Sequence, residues 1–223
     1  MEKKDLLEFS PVRYFDNVTG GLKECEMGLV TAKKGLGKTS VLVQLGLDSL
    51  LNDKSLIHVS FDQRSSNVIS WYSSVIAEIA KKKHLNDMDA MAEEIVRNRT
   101  ILNFNQETFS LPKVANTIKA LKEGGVSVNA IAVDDLDLAK ASKEDLAFFA
   151  DFVKSEKMTA WFSYTSESAT LKDTLDSDKL ALFSTVCHLA PESNGLALSI
   201  LKNNGAEAEG KVNLDAKTLL MSK

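Results

Sequence analysis

The sequence predicts an α/β fold: a mostly parallel central sheet flanked by helices, with an antiparallel hairpin near the C-terminal end. Three observations predict it. Short apolar runs of strand character alternate along the 223 residues with segments of helical period, the pattern of strand–helix–strand units. A glycine- and lysine-bearing loop joins the first strong strand signal to the first strong helix signal. Two late strand runs are separated by the turn-like Pro191-Glu192-Ser193-Asn194-Gly195, a hairpin connection.

Taken in order, Gly28-Leu29-Val30-Thr31 reads as a short buried strand, and Ser40 to Leu51 as the apolar helix that leaves the loop. Ser55 to Phe61 is the next strand. Ser66 to Lys83 is a helix with Val68, Ile69, Trp71, Tyr72, Val75, Ile76 and Ile79 on its apolar side. Asp87 to Arg97 is a second helix and Thr100 to Phe104 a short strand. The next helix starts at Leu111, with Ser110 as cap and Pro112 in the first turn, and stops at Gly124-Gly125. Val126 to Val133 is a strand ending in Asp134-Asp135-Leu136-Asp137. A helix over Glu144 to Ser155 and a strand over Met158 to Tyr164 follow. The late strands run from Phe183 to Leu189 and from Leu196 to Leu201, with Gly210 to Leu214 as a further hairpin partner.

A hydrophobic content of 44% suffices for a full core, and 223 residues fit a single domain over 1–223 with a helical excursion at 64–99. The net charge of -4 gives no global basic field, so nucleic acid has no charge-based support as a partner. Arg13, Arg64, Arg97 and Arg99 are the only arginines, which argues against a phosphoryl-transfer lid built on arginine clamps. Cys25 and Cys187 are isolated, and His58, His84 and His188 form no ligand pattern with them, so a reducing compartment and no structural metal are expected. The first residues lack the apolar core of a signal peptide, and no apolar run approaches a membrane span; a cytoplasmic location is expected.

The most informative stretch is Ala32-Lys33-Lys34-Gly35-Leu36-Gly37-Lys38-Thr39, which has the form of a phosphate-binding loop with alanine at its first position. A polyphosphate needs several backbone N–H groups aimed at one place, and Gly35 and Gly37 allow the dihedrals this takes. Lys33, Lys34, Gly35, Leu36 and Gly37 form the cradle. Lys38 reaches the terminal phosphates, the Thr39 hydroxyl ligates Mg²⁺, and the amides of Lys38, Thr39 and Ser40 open a helix whose positive end faces the anion.

Other acids and hydroxyls stand at the same expected sheet edge. Ala130-Ile131-Ala132-Val133 leads into Asp134, an acid placed to hold a Mg²⁺-bound water; of the adjacent pair, Asp134 is preferred to Asp135. Asp62, at the end of the preceding strand, is the candidate to orient or deprotonate an attacking water. Gln63 beside it can only position one, and both also fit plain strand-end turn residues. Thr165 and Ser166 suit either sensing of a terminal phosphate or capping of the next segment.

In this order the pieces resemble the RecA-like P-loop ATPases, particularly single-domain relatives of KaiC, RadA and the DnaB replicative helicase. The resemblance runs from Phe15 to Met221. It is carried by Thr19-Gly20-Gly21-Leu22, by the loop ending in Gly37-Lys38-Thr39, and by Val59-Ser60-Phe61-Asp62-Gln63. The Asp134 strand, Thr165-Ser166-Glu167, Ile200-Leu201-Lys202-Asn203-Asn204-Gly205 and Gly210 to Leu214 complete it.

The resemblance implies a RecA-type core that binds Mg-ATP at subunit interfaces of a homo-oligomeric ring or filament, with a protein partner. It implies a role for Lys202 as the basic residue inserted into a neighbour's site. Asn204 stands where relatives carry a finger arginine, and Asp62 and Gln63 stand where glutamate is expected. Slow hydrolysis with intact ATP binding is therefore expected. The loop is also similar to that of the ParA/MinD partition ATPases, where a signature lysine at the position of Lys33 crosses an ATP-sandwich dimer. Lys34 in place of a glycine, and the late hairpin, depart from that second pattern.

Overall fold

Branched and aromatic residues set the strands, and every apolar run between loops becomes part of one sheet. The computed structural model describes residues 3–61, 64–85, 88–193 and 195–223. In chain order it contains α1 (Lys3–Glu8), α2 (Val12–Thr19), β1 (Met27–Ala32), α3 (Lys38–Leu51), β2 (Leu56–Phe61), α4 (Ser65–Lys82) and α5 (Asp89–Val96). Then come β3 (Arg99–Phe104), α6 (Leu111–Glu123), β4 (Ala130–Asp134), α7 (Lys143–Ser155), β5 (Thr159–Thr165), and the short α8 (Leu171–Thr174) and α9 (Ser177–Leu180). The chain closes with β6 (Thr185–Glu192), β7 (Gly195–Asn203), β8 (Ala206–Glu207), β9 (Lys211–Leu214) and β10 (Met221–Ser222).

The strands lie in the order β10-β9-β7-β6-β1-β5-β4-β2-β3, with β8 on β7. From β6 to β3 every pairing is parallel, and from β6 outward through β7, β9 and β10 every pairing is antiparallel. The parallel part is covered on both faces. On one face Val30, Ala132 and Trp161 pack with Leu42 and Leu45 of α3, Tyr72 and Ile76 of α4 and Ile95 of α5. On the other, Leu29, Ile131, Val133 and Phe162 pack with Val114 of α6 and Phe149 of α7. The helical excursion at 64–99 thus shares the core of α3.

Alternation along the strands decides which side chains reach the α3 face. Ala130 and Ala132 point to that face, and so does Asp134; on β5 the same parity selects Trp161, Ser163 and Thr165. The register Ala32↔Thr165 then puts the end of β5 beside the start of the glycine loop.

Several expected boundaries and faces are corrected. The strand expected from Val126 starts at Ala130, because the Val126 amide donates to Leu121 O (2.9 Å) to close α6 and the Asn129 amide donates to Ser55 O (2.9 Å). Ile69, expected on the apolar side of α4, is 46% exposed, since a one-residue step turns it about 100° away from Val68 and Tyr72. Two elements missing from the sequence reading matter for the site. Helix α2 buries Phe15 edge-on against Trp161, with ring centroids 5.6 Å apart. Strand β10 is pinned to α3 by Gln44, whose Nε2 donates to Leu219 O (2.9 Å) while its Oε1 accepts from Met221 N (2.8 Å).

Candidate functional site

The loop between β1 and α3 lies at the carboxyl edge of the parallel strands. Gly35 and Gly37 have φ of 84° and 101°, in the left-handed region that a side chain at Cβ disfavours. Gly37 is the N-cap of the 14-residue α3 with no side-chain cap, so the first amides of the helix are left to an external acceptor. Lys38 occupies the first helical position and is 7% exposed. A buried cation at a helix N-terminus opposes the helix dipole, and an anion brought between them satisfies both.

The Lys38 ammonium donates to Thr165 Oγ1 (2.9 Å) and lies 3.8 Å from Asp135 Oδ1. Thr39 Oγ1 donates to Asp134 Oδ2 (2.9 Å), and Ser163 Oγ donates to Asp134 Oδ1 (2.6 Å). Asp134 is 1% exposed, and burial pushes its carboxyl above the usual carboxylate range against the pull of the Ser163 and Thr39 hydrogen bonds. A hydroxyl that donates its proton keeps acceptor lone pairs, so Thr39 can face a cation while holding Asp134. These donors fit Mg²⁺ with a polyphosphate: Lys38 and the loop for the anion, Thr39 directly and Asp134 through water for the metal.

The loop opens into a cavity of about 480 Å³ bounded also by Trp71, Glu78 and Leu219. Size alone does not select it, since a cleft of about 800 Å³ lies along the β9–β10 edge. The meeting of Lys38, Thr39 and Asp135 on a glycine loop does. Lys34, Gly35 and Ser40 line this cavity; Leu36 is half-buried beside it.

The remaining candidates are placed as follows. Thr165 faces Lys38, whereas Ser166 turns into its own loop and accepts from Ser168 N (3.2 Å), so the two hydroxyls left open by the sequence have separate roles. Lys33 is exposed and pairs with Glu167 at 3.4 Å within the same chain. Asp62 and Gln63 lie outside the described residues. Lys202 is corrected: it is 8% exposed and its ammonium donates to Leu180 O (2.8 Å), so the chain does not present it to a neighbour. Asn204, in the tight turn between β7 and β8, accepts from Lys23 Nζ (3.1 Å).

Sequence reasoning missed Ser163 and Gln106. Ser163 supports both acids of the pair, donating to Asp134 and accepting from Asp135 N (2.8 Å). Its signal was a hydroxyl two residues before Thr165, on the same strand face. Gln106 Nε2 donates to Asp135 O (2.6 Å) from the loop after β3, a long-range contact with no local signature.

No family model and no curated protein matches the sequence. Among solved structures, the ATPase domain of a DnaB-like helicase superposes with a TM-score of 0.74 over 95% of this chain and 89% of that chain, at 16% identity. The fold is accordingly a RecA-like P-loop core carrying a C-terminal antiparallel hairpin.

Proposed function

We propose that this chain binds Mg-ATP at the Lys38–Thr39 loop, hydrolyses it slowly, and uses nucleotide occupancy to control its assembly or the binding of a protein partner, in the manner of KaiC-like proteins. One observation carries the reading. Lys38, buried at the first turn of α3, faces the cavity, while the neighbouring Thr39 joins Asp134 across 2.9 Å. Neither a tight turn nor a core contact calls for that pair.

The chain's own residues divide the work. Lys38 holds the terminal phosphates, the α3 amides receive anionic oxygens, and Thr165 reports whether Lys38 is engaged with phosphate or with protein. When bound, Mg²⁺ neutralises charge on the phosphate oxygens. Slow turnover is supported by the hairpin: Asn204 carries no positive charge, and Lys202 is spent on Leu180 O. These two residues also favour a second reading, a nucleotide-dependent interaction module with little hydrolysis. The likeness to a helicase ATPase domain supports the RecA side of the sequence resemblance, and with it a homo-oligomeric ring with nucleotide at the interfaces. A sandwich dimer would need Lys33 to leave Glu167.

The test is nucleotide binding and phosphate release by the purified protein beside Lys38→Ala. Binding that Lys38→Ala abolishes supports the reading, and phosphate release above that control selects the enzyme over the module. Binding unchanged in Lys38→Ala overturns both. Light scattering with and without Mg-ATP separates ring, dimer and monomer.

A further inference from the structure

We propose that Asp135, and not the strand-end acid Asp62, is the carboxylate that holds the attacking water when the terminal phosphoryl group sits on Lys38. The inference rests on the Mg-ATP reading above and adds a catalytic residue to it.

The argument starts from an irregularity in the backbone. Successive side chains of a strand point to opposite faces, so the residue after Asp134 belongs by alternation to the α6–α7 side of the sheet, with Val133. Asp135 instead has φ 58°, a left-handed conformation outside glycine's usual territory. That turn brings its carboxylate back to the α3 side: Oδ1 lies 3.8 Å from Lys38 Nζ and accepts from Thr165 Oγ1 (3.3 Å). The conformation is held from two elements, by Ser163 Oγ accepting the Asp135 amide (2.8 Å) and by Gln106 Nε2 donating to its carbonyl (2.6 Å). Left-handed backbone at a non-glycine residue costs roughly 1–2 kcal/mol, and strain of this kind persists where surrounding structure enforces it.

The two adjacent acids are therefore differently placed. Asp134 is buried, with both oxygens engaged by Ser163 and Thr39, and suits a metal-bound water. Asp135 is half-exposed and lines the cavity together with Lys38 and Thr39. A phosphoryl group arriving at Lys38 takes over the ammonium from Thr165 and Asp135, and the carboxylate is left beside the phosphorus with room for solvent. In the step, the water oxygen bonds to the terminal phosphorus and the bond from that phosphorus to the bridging oxygen breaks, its electron pair leaving on the nucleoside diphosphate. The water's proton passes to the Asp135 carboxylate and from it to solvent.

The experiment measures Mg-ATP affinity by calorimetry and phosphate release for the wild-type chain, Asp135→Asn and Asp62→Asn. Asparagine is at ease in the left-handed region, so Asp135→Asn keeps the fold, which a thermal melt verifies. The expected result is affinity for Mg-ATP equal to or tighter than wild type, because a negative charge beside the triphosphate is gone, with phosphate release lower by about 100-fold or more. The proposal is overturned if Asp135→Asn turns over like wild type, if Asp62→Asn alone abolishes turnover, or if Asp135→Asn loses nucleotide binding. Wild-type protein that binds Mg-ATP but releases no phosphate also overturns it, while leaving the binding reading intact. Wild-type protein that binds no nucleotide removes the reading itself, a separate outcome.

Discussion

Lys38 and Lys202 are buried to almost the same degree, 7% and 8% exposed, yet their surroundings assign them opposite work. Lys38 stands at a helix N-terminus, where the dipole opposes it, and its partners are a hydroxyl and a half-exposed carboxylate on the wall of a cavity. Those partners can be exchanged for a ligand. Lys202 stands in the middle of an antiparallel hairpin and donates to the main-chain carbonyl of Leu180, closing the end of α9 against the sheet. Burial alone holds its amine below the usual lysine range. A main-chain carbonyl inside the fold has no equivalent replacement, so Lys202 is a structural cation. Burial of a lysine is thus no sign of function until its partners are known.

The largest effect that would break this comparison is at Lys38. Lys38→Met should weaken Mg-ATP binding by about 10- to 100-fold, the loss of one to two charge-assisted hydrogen bonds, measured by calorimetry, while the melting temperature hardly changes because Thr165 and Asp135 can turn to water. The next is at Lys202. Lys202→Met keeps the stem but leaves Leu180 O without its donor, and urea denaturation should show a loss of about 1–3 kcal/mol. A Lys202→Met protein as stable as wild type would restore the expected role across a subunit interface.

Removal of magnesium comes third. Chelation should lower wild-type affinity for ATP about tenfold, roughly 1.4 kcal/mol, and Thr39→Ala should have little left to lose on chelation. Equal sensitivity to chelation in both proteins would place the metal elsewhere.

The same comparison can be made between buried acids, with a smaller effect. Asp16 has no cation site to serve; burial, and then the charge of Asp48, raise its pKa to about 6. A raised carboxylate pKa means that the folded chain binds the proton more tightly than the unfolded one. Its contribution to stability is therefore fully present below the unfolded value of about 4 and is lost as the pH rises through 6. Asp16→Asn should melt like wild type at pH 4 and about 2–4 °C higher at pH 7.5, an effect discounted for the partial exposure of this residue. A larger gain at pH 4 than at pH 7.5 would reverse the assignment.

Much of the fold was legible because it rests on local signals. The alternation of strands and helices, the Ser110 cap with Pro112, and the glycine loop between β1 and α3 each depend on neighbours in sequence. The inward turn of Lys202 was legible too, since Leu198, Ile200 and Lys202 share one strand face and the first two are apolar. Resemblance to a family pointed outward; period-two alternation pointed inward, and the structure follows the alternation. What stayed hidden depends on distant partners. Asp135 breaks the alternation because Ser163 and Gln106, 28 and 29 residues away, hold its backbone in a left-handed turn. Gln44 anchors β10 across 177 residues, and no window of sequence contains both ends.

The most direct test places the two lysines side by side. Mg-ATP is titrated calorimetrically into wild-type, Lys38→Met and Lys202→Met proteins, each shown by circular dichroism to be folded. The expected result is the same affinity for wild type and Lys202→Met, and binding lost or severely weakened in Lys38→Met alone. Wild-type affinity in Lys38→Met, or loss of binding in folded Lys202→Met, would contradict the assignment of Lys38 as the phosphate ligand and Lys202 as part of the scaffold.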